Sequence, residues 1–111
     1  MAELIQLTDG SAVEMDRELW KGLASHECDN LNATGRNVTP RLAAMKHVDG
    51  RVIVFATVKD GFKTSPAGGE LLACGDPDGV ALALGKLAAQ FSRGPYLLKK
   101  CLSQIEANPA A

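Results

Sequence analysis

Three Asp-Gly dipeptides, Asp9-Gly10, Asp49-Gly50 and Asp60-Gly61, each follow a run in which apolar residues recur at alternate positions. Aspartate tolerates a tight turn and glycine accepts a positive φ, so such a pair between alternating runs is the strongest short-range mark of a β-hairpin. The chain is thereby directed to antiparallel sheet. The dipeptides carry no chemistry, and function has to be sought in other residues.

Ile5, Leu7, Val13 and Met15 are all odd-numbered. For them to share one face, the loop between them must hold an odd number of residues. Thr8, Asp9 and Gly10 form such a loop, with Gly10 in the left-handed position of a bulge. The same parity around Asp49-Gly50 gives a loop of Val48, Asp49 and Gly50 between strands over 41–48 and 51–59. It places Arg41, Met45, His47, Arg51, Ile53 and Phe55 on one face. The second strand of this pair, with Val52-Ile53-Val54-Phe55-Ala56, is apolar on both faces and therefore expects cover from both sides.

Helix signals complete the outline. Asp16 reads as an N-cap with Glu18 in the first turn, opening a helix to about His26 with Leu19 and Leu23 inward. Residues 28–40 read as a polar connecting loop, and 62–69, punctuated by Pro66, Gly68 and Gly69, as irregular. A last strand is expected over 70–75. Asp76 as cap, Pro77 at the first helical position and Asp78 in the first turn open a helix with Val80, Leu84, Leu87 and Phe91 on one stripe, ending near Ser92. Gly94-Pro95 then permits a final helix over 96–106, with Leu98, Cys101, Leu102 and Ile105 inward. The expected order is ββαβββαα. This is an α+β fold, an antiparallel sheet of about five strands packed with three helices, in a single domain over 1–111 whose last five residues fray.

Composition narrows the function. The 111 residues are 46% hydrophobic and 23% charged with a net charge of −1, ordinary for a globular chain. No apolar run approaches the ~20 residues that span a bilayer, and the first six residues lack the basic start of a secretory signal. Cys28, Cys74 and Cys101 are odd in number and widely spaced, as reduced thiols are. The expected setting is cytoplasmic, without membrane association.

No motif for catalysis, metal or cofactor stands out. His26 and Cys28 are close in sequence, but no second ligand pair accompanies them as structural zinc requires. Cys74, before a helix N-terminus, is the best-placed thiol for reactivity, although its apolar neighbours suit a buried strand. Ala67-Gly68-Gly69 and the run Gly75–Gly79 match no phosphate-loop fingerprint. The charge is unevenly spread. Residues 1–30 carry seven acidic side chains against Arg17 and Lys21, a net −5, while residues 31–64 carry six basic against Asp49 and Asp60, a net +4.

These features point to a small non-enzymatic binding or interaction module that recognises a small molecule or a protein. The face bearing Met45, Ile53 and Phe55, with Trp20 nearby, is its expected pocket or interface. The need to cover both faces of the middle strand suggests a homodimer. The alternative is nucleic-acid binding, with Arg36, Arg41, Lys46 and Arg51 of the basic loop and hairpin as anion contacts.

Overall fold

The computed structural model describes residues 3–28, 30–31 and 37–107. Strands β1 (Glu3–Gln6) and β2 (Ala12–Met15) pair as an antiparallel hairpin. Its loop is Thr8-Asp9-Gly10, closed by the Leu7 N–H donating to the Ser11 carbonyl at 2.8 Å, with Gly10 at φ 92°. The parity expected from the sequence holds, since Ile5 and Met15 are buried on one face with Leu7 and Val13 beside them.

The main sheet contains β3 (Trp20–Glu27), β5 (Asn37–His47), β6 (Val52–Asp60) and β7 (Lys63–Leu72) in the antiparallel order β3-β5-β6-β7, and the short β4 (Asn30–Leu31) pairs with β5 beyond the end of β3. The β5–β6 loop is Val48-Asp49-Gly50 as expected, with Gly50 at φ 100° and the His47 N–H donating to the Arg51 carbonyl at 2.8 Å. At the third dipeptide, Asp60 pairs with Lys63, leaving a two-residue loop of Gly61 and Phe62. Two helices follow, α1 (Pro77–Ala88) and α2 (Gly94–Ala107). The α+β class and antiparallel pairing stand. The element count differs, with two helices in place of three and seven strands in place of five among the described residues.

The largest departure is the expected helix over 16–26. Asp16 does organise a turn. Its carboxylate accepts the Glu18 N–H at 2.9 Å, and its carbonyl accepts the N–H groups of Leu19 and Trp20. The turn then stops, and β3 begins at Trp20. Gly22 disfavours helix by ~1 kcal/mol, while strand geometry lets Trp20 bury itself opposite His47. A bulge between Gly22 and Ala24 then turns Leu23 and Ala24 toward the helices. Leu19, expected inward, is 41% exposed.

Other boundaries moved for similar reasons. The loop expected over 28–40 contains β4 and the start of β5, with residues 29 and 32–36 outside those described. Pro40 sits within β5, and its carbonyl accepts the Cys28 N–H at 3.3 Å where β3 ends. The stretch read as irregular over 62–69 is the first part of β7. As a sheet edge, β7 accommodates Pro66 and a register shift between Phe55 and Thr57. This strand ends at Leu72, so Cys74 lies beyond it and is exposed. Helix α1 ends at Ala88 rather than Ser92. Helix α2 starts at Gly94 and buries Leu97, a residue absent from its expected inner stripe, alongside Cys101; Leu98, Leu102 and Ile105 are only half-buried. Of the tail, Ala107 belongs to α2 and residues 108–111 lie outside those described.

The result is three layers. Both helices cover one face of the main sheet over a core that includes Leu42, Val52, Val54, Leu84, Leu97 and Cys101. The β1–β2 hairpin covers the other face over Trp20, Ala43, Ile53 and Phe55. Each fully buried leucine or isoleucine contributes about 1.5–3 kcal/mol, and β6, buried from Val52 to Ala56, takes part in both cores. The double cover that β6 requires is thus supplied within one chain.

Candidate functional site

The hairpin, the edge strand β7 and helix α1 meet along a groove of about 1180 Å³. Its floor is the middle of β7, from Pro66 to Leu71. One wall is the β1–β2 turn with Leu7, Thr8, Asp9 and Ser11, and the other is the face of α1 with Ala83, Lys86 and Leu87, continued by Gln90 just past its end. Two glycines permit this approach. Gly68 has φ 106°, and a Cβ there would stand 3.0 Å from both Leu87 Cδ2 and Thr8 Oγ1. A Cβ on Gly69 would meet the Gln6 carbonyl oxygen, Leu7 Cδ2 and the Val54 carbonyl oxygen, each at 3.1 Å. The Ala67-Gly68-Gly69 run is therefore a packing device, not a phosphate loop.

Hydrogen bonds fix both walls to the floor. The Thr8 N–H donates to the Gly69 carbonyl at 2.9 Å, and the Gly69 N–H donates to Thr8 Oγ1 at 3.0 Å. From the other side, Gln90 Nε2 donates to the Ala67 carbonyl at 2.7 Å and to the Leu87 carbonyl at 2.9 Å. Backbone groups that an edge strand ordinarily presents to solvent are engaged here. The opposite edge is treated alike, since the Gln104 amide accepts the Ser25 N–H at 2.9 Å and donates to the Ser25 carbonyl at 3.0 Å.

The groove offers mixed chemistry. Leu7, Leu71, Ala83 and Leu87 give apolar surface, while Asp9, Glu70 and Lys86 place charges of both signs around it. Asp9 is a firmly ionised member. The hydroxyl of Ser11 at 2.6 Å and its N–H at 2.9 Å both donate to the Asp9 carboxylate and hold it below the usual carboxylate range. The groove lining includes no histidine or cysteine, and among the described residues no three His, Cys, Asp or Glu side chains gather as a metal site. What these walls can do is recognise shape, apolar contact and charge.

The residues singled out from the sequence fall into separate places. Trp20, Met45, Ile53 and Phe55 are brought together, but as the core beneath the hairpin. Trp20 is 4%, Ile53 0% and Phe55 7% exposed, with Met45 half-buried beside them. The basic set is divided. Arg41 is exposed, its Nε donating to Ser25 Oγ at 2.7 Å. Lys46, an odd number of residues further along the same strand, belongs to the opposite face. Arg51 is paired with Asp49 at 2.8 Å and lies 5.6 Å above the Trp20 ring. Arg36 is outside the described residues. At the same hairpin tip, His47 Nδ1 lies 2.9 Å from Asp49 Oδ1 and the His47 ring meets Trp20 edge-on at 4.8 Å.

Tyr96 escaped the sequence reading. Arg93 lies 5.0 Å and Lys100 5.6 Å from its ring centre, and His26 meets it edge-on at 5.5 Å. The i, i+4 spacing of Tyr96 and Lys100 was the available signal, whereas His26 comes from a strand expected to be helix. Among the thiols, Cys74 is exposed. Cys101 is buried against the Leu42 carbonyl at 3.3 Å, and burial pushes its pKa up to about 11.

No helix among the described residues is long and apolar enough to cross a membrane. Comparison with protein-family models, with curated proteins and with solved structures finds no match for this chain.

Proposed function

We propose that this protein is a non-enzymatic binding module that seats an extended segment of a partner protein in the groove between the β1–β2 turn, β7 and α1. The observation that carries this reading is the groove itself. At about 1180 Å³, it exceeds the roughly 300–1,000 Å³ of pockets that enclose a small molecule, and it is an open trough. Apolar side chains along the floor and walls suit alternate side chains of an extended ligand, while Asp9, Glu70 and Lys86 supply polar selection. With Thr8 and Gln90 already bonded to β7, recognition rests on side-chain contacts rather than on addition of a strand.

The test is selection of a random peptide display library on the immobilised protein, followed by binding of the selected peptides to Lys86→Glu. Lys86 is exposed, so the substitution changes the groove charge without disturbing the core. Selected peptides should share a pattern and lose affinity about tenfold or more on the variant, the effect of ~1.4 kcal/mol. Failure to select peptides, or peptides indifferent to Lys86→Glu, would refute the reading.

A further inference from the structure

A second concavity, of about 540 Å³, lies between the start of α1 and one side of α2 from Pro95 to Glu106, and shares no residue with the first groove. It is lined by Pro77 and Val80 from α1 and by Leu98, Leu102 and Ile105 from α2. The three α2 residues follow at i, i+4 and i+7, one stripe of a helix, and all are only half-buried against the core. A stripe of this kind on the outermost layer is incompletely covered by its own chain.

The charges flanking the stripe indicate the occupant. Lys99 and Glu106 line the same concavity, are exposed, and make no ion pair with a described residue. They are seven residues apart, about 10 Å along the helix axis, and of opposite sign. Their midpoint falls between Leu102 and the small Ser103. A second α2 laid antiparallel across that midpoint sets Leu102 against Leu102. It also brings each Lys99 opposite the Glu106 of the other copy. A parallel pairing sets lysine against lysine and glutamate against glutamate. The surface is therefore self-complementary under a two-fold axis and only in the antiparallel sense, the property an isologous dimer interface requires.

We propose that this face of α2 is a homodimer interface, the two α2 helices packing antiparallel, with the two-fold axis passing near Leu102 and Ser103. The dimer leaves both peptide grooves unobstructed by the residues it uses. The edges of the main sheet are no alternative route, because Gln104 on β3 and Thr8 with Gln90 on β7 already engage central edge groups.

Sedimentation equilibrium of the intact protein tests this. The expected mass is twice the 11.7 kDa of the chain. Lys99→Glu should raise the dimer dissociation constant at least tenfold, and Lys99→Glu combined with Glu106→Lys should restore it. Leu102→Asp should give a monomer with an unchanged circular dichroism spectrum. A monomeric wild-type protein, or a dimer indifferent to Lys99→Glu, overturns the interface. A combined variant that fails to recover overturns the antiparallel register. Because Lys99 is exposed, its two tests hold even if Leu102→Asp unfolds the chain.

Discussion

Gly69→Ala probes whether the N-terminal hairpin is held on β7 as described. The added methyl group would lie 3.1 Å from the Gln6 carbonyl oxygen, from Leu7 Cδ2 and from the Val54 carbonyl oxygen, where ordinary contact begins at 3.4 Å. Val54 lies in β6 at the centre of both cores and cannot retreat. The hairpin can, but moving it by a few tenths of an ångström strains the two Thr8–Gly69 hydrogen bonds. Overpacking of this kind costs about 1–3 kcal/mol. A value near 2 kcal/mol corresponds to a fall in Tm of about 8–12 °C for a chain of this size. Trp20, buried beneath the same hairpin, reports the change directly, so its emission should shift to the red in the folded variant. Gly22→Ala is the matched control. Its Cβ would meet nothing within 4 Å and its φ is not positive, so its Tm should stay within a few degrees of wild type. A Gly69→Ala protein with wild-type Tm and unshifted emission would refute the docking of the hairpin on this strand.

Two further outcomes follow from the titrating groups. The Arg51 N–H, followed by the Arg51 and His47 charges, lowers the pKa of Asp49, and Ser11 lowers that of Asp9. With folded pKa values below the ordinary aspartate value of 3.8, both carboxylates contribute stability that is complete above that pH and is lost as pH falls through the folded values. The urea midpoint should therefore drop on acidification below about pH 4, less steeply in Asp49→Asn; equal slopes would contradict the assignment. The thiols should separate kinetically. Iodoacetamide on the native protein should modify Cys74 first, whereas Cys101 should react only as fast as the fold opens. The raised Cys101 pKa adds stability that is complete below 9.0 and lost as pH rises through about 11. Early labelling of Cys101 would be inconsistent with its burial.

What could be read from the sequence was local. A positive φ at Gly10 and Gly50 is a demand of the turn alone, and the parity of Ile5, Leu7, Val13 and Met15 follows from the length of that turn. Pro77 in the first turn of α1 is local in the same sense, whereas Asp76 takes the N-cap position without a side-chain hydrogen bond to the helix. The Asp16 turn was also legible, but not its early end, because the partners that draw Trp20 into a strand lie near His47. Pro66, Gly68 and Gly69 resemble loop punctuation until Thr8 and Leu87 are seen against Gly68, and Gln6 and Leu7 against Gly69. The groove was beyond the reach of sequence patterns for this reason. Its lining is assembled from three segments, around residues 8, 69 and 87, and no spacing rule connects them.

The Thr8–Gly69 contact closes a span of 61 residues. A two-stranded hairpin of this kind forms within about 1–10 μs and is marginal alone, so it relies on the sheet face beneath it and on β7 beside it. The contacts that fix this hairpin are thus long-range, and one wall of the groove depends on them. Regions anchored in this way open before the rest of a domain does. A ligand that touches both walls consequently acts on that opening, slowing hydrogen exchange across β1 and β2 while leaving exchange in β5 and β6 to follow global unfolding.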